Sequence, residues 1–168
     1  MMRNVVESEA LRVWSSPVGL LELRCTAAGV HKIHFLGEEP LPLQEEPAAP
    51  GAEALLDRLI HQLEEYFLGL RRTFDLPLAL EGTPFQLRVW EALREIPYGA
   101  TASYEDIARQ VERPRAFRAV GGANHANPVA IVVPCHRVVG KDGTLTGFGG
   151  GLDKKAWLLE HEGRHNRP

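Results

Sequence analysis

A chain of 168 residues, 44% hydrophobic and 24% charged, is long enough for one large or two small cores and has ordinary soluble globular composition. No apolar run approaches a membrane span, and the opening Met1-Met2-Arg3-Asn4-Val5-Val6-Glu7 lacks a signal-peptide core, so a cytoplasmic protein without membrane contact is expected. The formal charge of −3 argues against a nucleic-acid partner only until the chain is divided: residues 1–83 carry 7 Lys/Arg against 13 Asp/Glu, and residues 84–168 carry 12 against 9.

In chain order, Leu11 to Trp14, Leu20 to Cys25 and Val30 to Phe35 read as short strands. The turn signals Ser15-Ser16-Pro17-Val18-Gly19 and Ala27-Ala28-Gly29 separate them, which predicts a meander. Residues Glu38 to Gly51, rich in Pro, Glu and Ala, read as a mobile surface loop. Leu55, Leu56, Leu59, Ile60, Leu63 and Phe67 then recur at helical spacing up to Gly69, and Thr73 to Leu78 reads as a returning strand.

Beyond residue 82 the pattern turns helical. Thr83 caps a helix with Pro84 in its first turn and with Phe85, Val89, Leu93 and Ile96 on one face. After Pro97-Tyr98-Gly99, Ser103 starts a second helix with Asp106 three residues on, and Arg113-Pro114 breaks it. A third helix is expected from Arg115 to about Asn124, giving a helix-turn-helix with arginines on its second helix. Arg109, Arg113, Arg115 and Arg118, opposed only by Glu112, suit a phosphate-facing patch or a solvated helix face. Gly121-Gly122-Ala123 is costly as helix sequence, by roughly 1 kcal/mol per glycine, and permits close approach to DNA or to a neighbouring element. The fold class is therefore α+β, with a sheet-bearing domain over 1–82 and a helical domain with a helix-turn-helix signature over 83–168.

The most informative stretch is Val132-Val133-Pro134-Cys135-His136-Arg137-Val138-Val139-Gly140. It sets a thiol between a rigid proline and an imidazole, at the end of an apolar run, Val129 to Val133, that reads as a buried strand. An isolated Cys-His pair is more often structural than reactive. Cys25 and Cys135 form neither a secreted disulfide framework nor a metal knuckle, so a reducing compartment is expected.

The string PCHRVVG, preceded by Asn127-Pro128 and followed by Gly147-Phe148-Gly149-Gly150-Gly151 and Trp157-Leu158-Leu159-Glu160-His161-Glu162-Gly163, resembles the O6-alkylguanine-DNA alkyltransferases. The resemblance is dense from Thr83 to Gly163 and thin before it. It implies a ribonuclease-H-like sheet domain followed by a winged-helix or helix-turn-helix domain. The implied reaction is suicide repair: an alkyl group moves from O6-alkylguanine in double-stranded DNA to Cys135, with the nucleotide flipped out of the duplex. O4-alkylthymine is a further possible substrate, and a monomer is implied.

The resemblance also assigns residues. Cys135, a water, His136 and Glu162 form a proton relay that raises the thiolate fraction above the few per cent of an ordinary cysteine with a pKa of about 8.5. Tyr104 bonds guanine N3 and helps rotate the nucleotide, and Asn127 organises the turn around the active-site strand. The carbonyls of Cys135 and Val138 read the exocyclic amine, and the Gly149 N–H approaches O6 beside Phe148. Arg118 fills the vacated stack, while Arg113, Arg115, Gly121, Gly122 and Ala123 meet the DNA backbone.

The chain departs from some relatives at three points. Gly149 replaces a serine and Phe148 a tyrosine, which removes hydroxyl help to O6, and Ala130 replaces a second proline, which widens the pocket. Only Cys25 is available as a thiolate ligand in the first domain, so no structural zinc and no cofactor are expected. Two competing readings are a non-catalytic alkyltransferase-like lesion binder, which would lack the nucleophile, and a papain-like hydrolase using Cys135, a histidine and Asn127, in which Arg118 has no role.

Overall fold

The computed structural model describes residues 9–42 and 48–167. The chain divides into two compact units, Met1–Leu80 and Glu81–Pro168.

The first unit is an antiparallel meander of β1 (Ala10–Ser16), β2 (Gly19–Cys25) and β3 (Val30–Phe35), with β2 in the centre. Gly19 has φ +98°, and Ser16 Oγ ties the hairpin to the Gly19 carbonyl and the Val18 N–H. Alternation along β2 sends Leu21, Leu23 and Cys25 into the core and leaves Glu22 and Arg24 on the other face. There Glu22 pairs with Arg24 and Lys32, and Arg24 also reaches Glu9.

Helix α1 (Pro50–Phe67) covers the inner face with Leu55, Leu56, Leu59, Leu63 and Tyr66, each leucine worth about 1.5–3 kcal/mol of burial. Tyr66 occupies the inward place expected of Phe67, which is half-buried and meets the Tyr66 ring edge-on at 5.2 Å. The helix begins at Pro50, so the loop expected over 38–51 is shorter, and its residues 43–47 lie outside those described.

No strand forms at 73–78. The Gln62 amide donates to the Asp75 carbonyl (3.0 Å) and accepts its N–H (2.9 Å), satisfying backbone groups that a sheet edge would otherwise take. Only one parallel bridge, Val30 to Leu78, attaches the segment to the sheet.

The second unit packs α2 (Pro84–Arg94), α3 (Tyr104–Gln110) and α4 (Phe117–His125) against one another, and α5 (Leu152–His165) follows the segment that carries Cys135. Thr83 with Gln86 and Ser103 with Asp106 close two complete capping boxes. Helix α4 starts at Phe117, so Arg115, expected as its first residue, lies in the turn before it with Arg113. Ser103 and Ala102 form a short strand, β4 (Ala102–Ser103), parallel to β5 (Val138–Val139). Among the described residues, no helix is long and apolar enough to cross a membrane.

Candidate active site

The segment before the cysteine is held by one side chain. Asn127 Oδ1 accepts the Val129 N–H at 3.0 Å, and its Nδ2 donates to the Val133 carbonyl at 2.8 Å. Val129 to Val133 is therefore a closed turn with an Ala130–Val133 bridge, not a strand. An apolar run reports burial without reporting the route of the backbone, and all but the half-buried Val132 are buried. Ile131 sits at φ +71°, a left-handed conformation that a β-branched residue seldom adopts.

Cys135, His136 and Arg137 make a single 3-10 turn, Cys135–Arg137, in which neighbouring side chains diverge by roughly 120° instead of pointing to opposite faces of a strand. Glu162 of α5 meets this turn. It takes His136 Nε2 at 2.6 Å, Arg137 Nε at 2.8 Å, Arg137 NH2 at 3.1 Å and the Gly99 N–H at 3.3 Å. Arg137 also donates to the Ile96 carbonyl and lies over the Tyr98 ring at 5.7 Å. Far from being a surface carboxylate, Glu162 is fully buried. Burial pushes its pKa up, but the His136 hydrogen bond and the Arg137 guanidinium outweigh burial and hold it well below the usual carboxylate range.

An ionised carboxylate only accepts, so the proton shared with Glu162 belongs to His136 Nε2. Burial holds the His136 pKa below its ordinary value, against the attraction of Glu162, and the resting ring is neutral. Its Nδ1 lone pair has no protein partner. Burial likewise pushes the Cys135 thiol up, opposed by a hydrogen bond from Asn127 and by the charge of Lys155. The resting site therefore holds a thiol at Cys135 and, on the following residue, a neutral imidazole with a vacant Nδ1. Burial of an anion outweighs these stabilising groups and opposes the raised thiolate fraction that the resemblance implies.

Four further residues of this site were given no role by the sequence: Lys155, Thr146 and Asn124 outside the motif, and Arg137 within it. Lys155 is fully buried in α5, donates to the Thr146 carbonyl at 2.8 Å, and has its pKa lowered by burial against the opposing pull of Cys135. Its signal is positional: Lys155, Leu158 and Glu162 share one helical row, and charged residues on an apolar row need a partner. Thr146 Oγ1 in turn donates to Tyr104 Oη at 3.0 Å. Arg137 is the second cation on Glu162. Asn124, also buried, reaches the Cys135 carbonyl at 3.4 Å.

The other expected residues are spread around this centre. Tyr104 is half-buried at the start of α3, Val138 is buried in β5, Phe148 is half-buried and Gly149 is exposed, with His125 the nearest side chain to its open position. Arg113, Arg115 and Arg118 are exposed. A Cβ on Gly122 would meet nothing within 4 Å, and one on Gly121 would meet only the Tyr104 ring at 3.8 Å. Ala123 departs from the expected DNA-facing set: it is buried, and its carbonyl accepts the Trp90 indole N–H at 2.8 Å, so it serves packing against α2.

Comparison with known proteins places this geometry. The 6-O-methylguanine DNA methyltransferase ribonuclease-like domain matches residues 11–80, and the DNA binding domain of the same family matches residues 84–164. The chain belongs to the O6-methylguanine DNA methyltransferase family. The methylated-DNA--protein-cysteine methyltransferase of Methanosarcina acetivorans is 44% identical over 152 residues, 90% of this chain and 96% of that protein. The protein of that name from Mycolicibacterium paratuberculosis is 47% identical over 160 residues, 92% of this chain and 93% of its own length. The crystal structure of Mycobacterium tuberculosis O6-methylguanine methyltransferase superposes with a TM-score of 0.83 at 44% identity, covering 95% of both chains. Mycobacterium tuberculosis OGT in complex with DNA gives 0.81 over 92% of this chain and 93% of the other. In the family's terms, the buried thiol, imidazole and carboxylate described above all lie in the DNA binding domain.

Proposed function

We propose that this protein repairs DNA by transferring the alkyl group of O6-alkylguanine irreversibly to Cys135 Sγ. One observation supports the proposal: Glu162 fixes the His136 tautomer through Nε2 and leaves Nδ1 bare, on the residue that directly follows the only thiol of this unit in the chain. As Sγ attacks the alkyl carbon, the thiol proton passes to His136 Nδ1, directly or through a water. The carbon–O6 bond breaks, and its electron pair leaves with guanine. Tyr104 stabilises the departing guanine by donating a hydrogen bond to N3, and the imidazolium formed is held by Glu162. The carbonyls of Cys135 and Val138 accept the exocyclic amine, and the Gly149 N–H meets O6 beside Phe148.

The base must leave the stack to reach a buried thiol. Arg118, exposed on α4, fills the space it vacates; Arg113 and Arg115 contact phosphates, and the open positions of Gly121 and Gly122 let the backbone approach. The protein acts as a monomer in the cytoplasm, with O4-alkylthymine as a secondary substrate. A thioether is stable and no second thiol lies in this unit, so each molecule reacts once. Incubation with excess lesion duplex should yield product that plateaus at one equivalent per protein, with the alkyl mass on the peptide containing Cys135. Linear accumulation far past one equivalent would sink the suicide mechanism, and tight lesion binding without transfer would establish a non-catalytic binder.

A further inference from the structure

Helix α4 reads FRAVGGANH, and its exposed positions are otherwise small: Ala119 and Gly122, with Gly121 half-buried beside them. Phe117 and Arg118 are the only long side chains this helix exposes before His125. Phe117 is 44% exposed, a large apolar surface left in water among the exposed cations Arg113, Arg115 and Arg118. The row it heads is informative. At helical spacing it runs through Gly121, whose open side is bounded by the Tyr104 ring, to Asn124, whose amide touches the Cys135 carbonyl. Arg118 lies on the adjacent row.

An exposed phenyl ring within a cationic patch matches a partner that is anionic outside and aromatic inside. Duplex DNA is such a partner, and apolar side chains driven between base steps are a recurrent way of unstacking and bending it from the minor-groove side. We infer that Phe117 is an apolar wedge, entering the duplex next to the lesion and unstacking the adjoining base step while Arg118 occupies the place of the flipped nucleotide. The inference rests on the DNA-repair reading above. It assigns to Phe117 a deformation of the substrate, separate from the phosphate contacts of the arginines.

The test compares wild type with Phe117→Ala, Phe117→Leu and Arg118→Ala, measuring single-turnover transfer from an O6-methylguanine duplex and from free O6-benzylguanine. Bending is read in parallel by energy transfer between dyes at the duplex ends, with Cys135→Ser added to each protein to prevent reaction. Phe117→Ala should slow duplex transfer about tenfold, relax the bend and keep the free-base rate within about twofold, because only the duplex must be unstacked. The slope of affinity against salt should hold, since no phosphate contact is lost. Phe117→Leu should restore most of the bend and of the rate. An unchanged bend and duplex rate in Phe117→Ala, or equal losses on both substrates, would overturn the wedge. Overturning of the wedge alone is recognised by Arg118→Ala still losing duplex transfer selectively; a wild type inert on both substrates would overturn the repair reading and the wedge together.

Discussion

The two cysteines, one in each unit, are both buried, and burial pushes both thiols up. Cys25, pushed up to about 12, sits in the inner face of β2 with Glu53 as its charged influence, so everything near it opposes an anion. Cys135 is buried as deeply, yet Asn127 and Lys155 favour its anion and His136 offers a vacant lone pair. Low dielectric alone makes an inert thiol. The same low dielectric around a fixed donor, a cation and a base makes those few partners count for more, because their fields are not screened by water.

The sharpest way to break this comparison is to remove the thiol itself. Cys135→Ser should abolish transfer while lesion binding persists, since a serine alkoxide is far harder to form; transfer surviving, or alkyl mass on the Cys25 peptide, would reverse the assignment. Next in size is Glu162→Gln. It strands Arg137 in the interior and loosens the His136 tautomer, so transfer should fall about 100-fold and stability by about 3 kcal/mol, measured by single-turnover kinetics and urea unfolding.

That variant also carries a pH signature. In the folded protein the pKa of His136 lies below its ordinary 6.5 and that of Glu162 below 4.5, so the unfolded chain binds more protons than the folded one as pH falls. Wild-type stability should therefore decline below about 6.5 and decline further below about 4.5. Glu162→Gln should shrink the second decline, to which Glu22, Asp106 and Asp142 also contribute, and unfolding curves at stepped pH would read it.

A smaller effect is expected of Lys155→Met, which keeps the length of the side chain and deletes the charge opposite Cys135. Transfer should slow about tenfold, with the pH-rate curve moved to higher pH as the thiol loses its cation; a rate loss without that movement would make Lys155 a packing residue only. Smallest is Cys25→Ala, which should leave transfer unchanged and cost about 1 kcal/mol from the small cavity it leaves.

Much of this was legible in the residues, for identifiable reasons. The meander and the helix starts at Thr83 and Ser103 depend on local patterns, alternation and a Ser or Thr at the cap, whereas Glu162, 26 residues from the His136 it meets, was indicated by the family resemblance and by no local pattern. What the sequence concealed depends on contacts distant along the chain. Gln62 removed the strand at 73–78 from 13 residues away, and Ala123 met Trp90, 33 residues away, instead of the open side of α4. Lys155 was discoverable in principle, through its helical row with Glu162, whereas the Asn124 contact with the Cys135 carbonyl left no trace in spacing or composition.

The left-handed backbone of Ile131 bears on the lifetime of the protein after it has acted. A β-branched residue held there stores about 1–3 kcal/mol, and the loop keeps its shape because Asn127 and the buried valines over-determine it. Such a loop has little slack. An alkyl group added to Cys135, four residues downstream and 5% exposed, must be accommodated against a backbone already displaced from its preferred basin. The spent molecule should melt at lower temperature than the fresh one and be cleaved sooner by protease, so that the damage it has removed from DNA becomes the mark by which the protein itself is cleared.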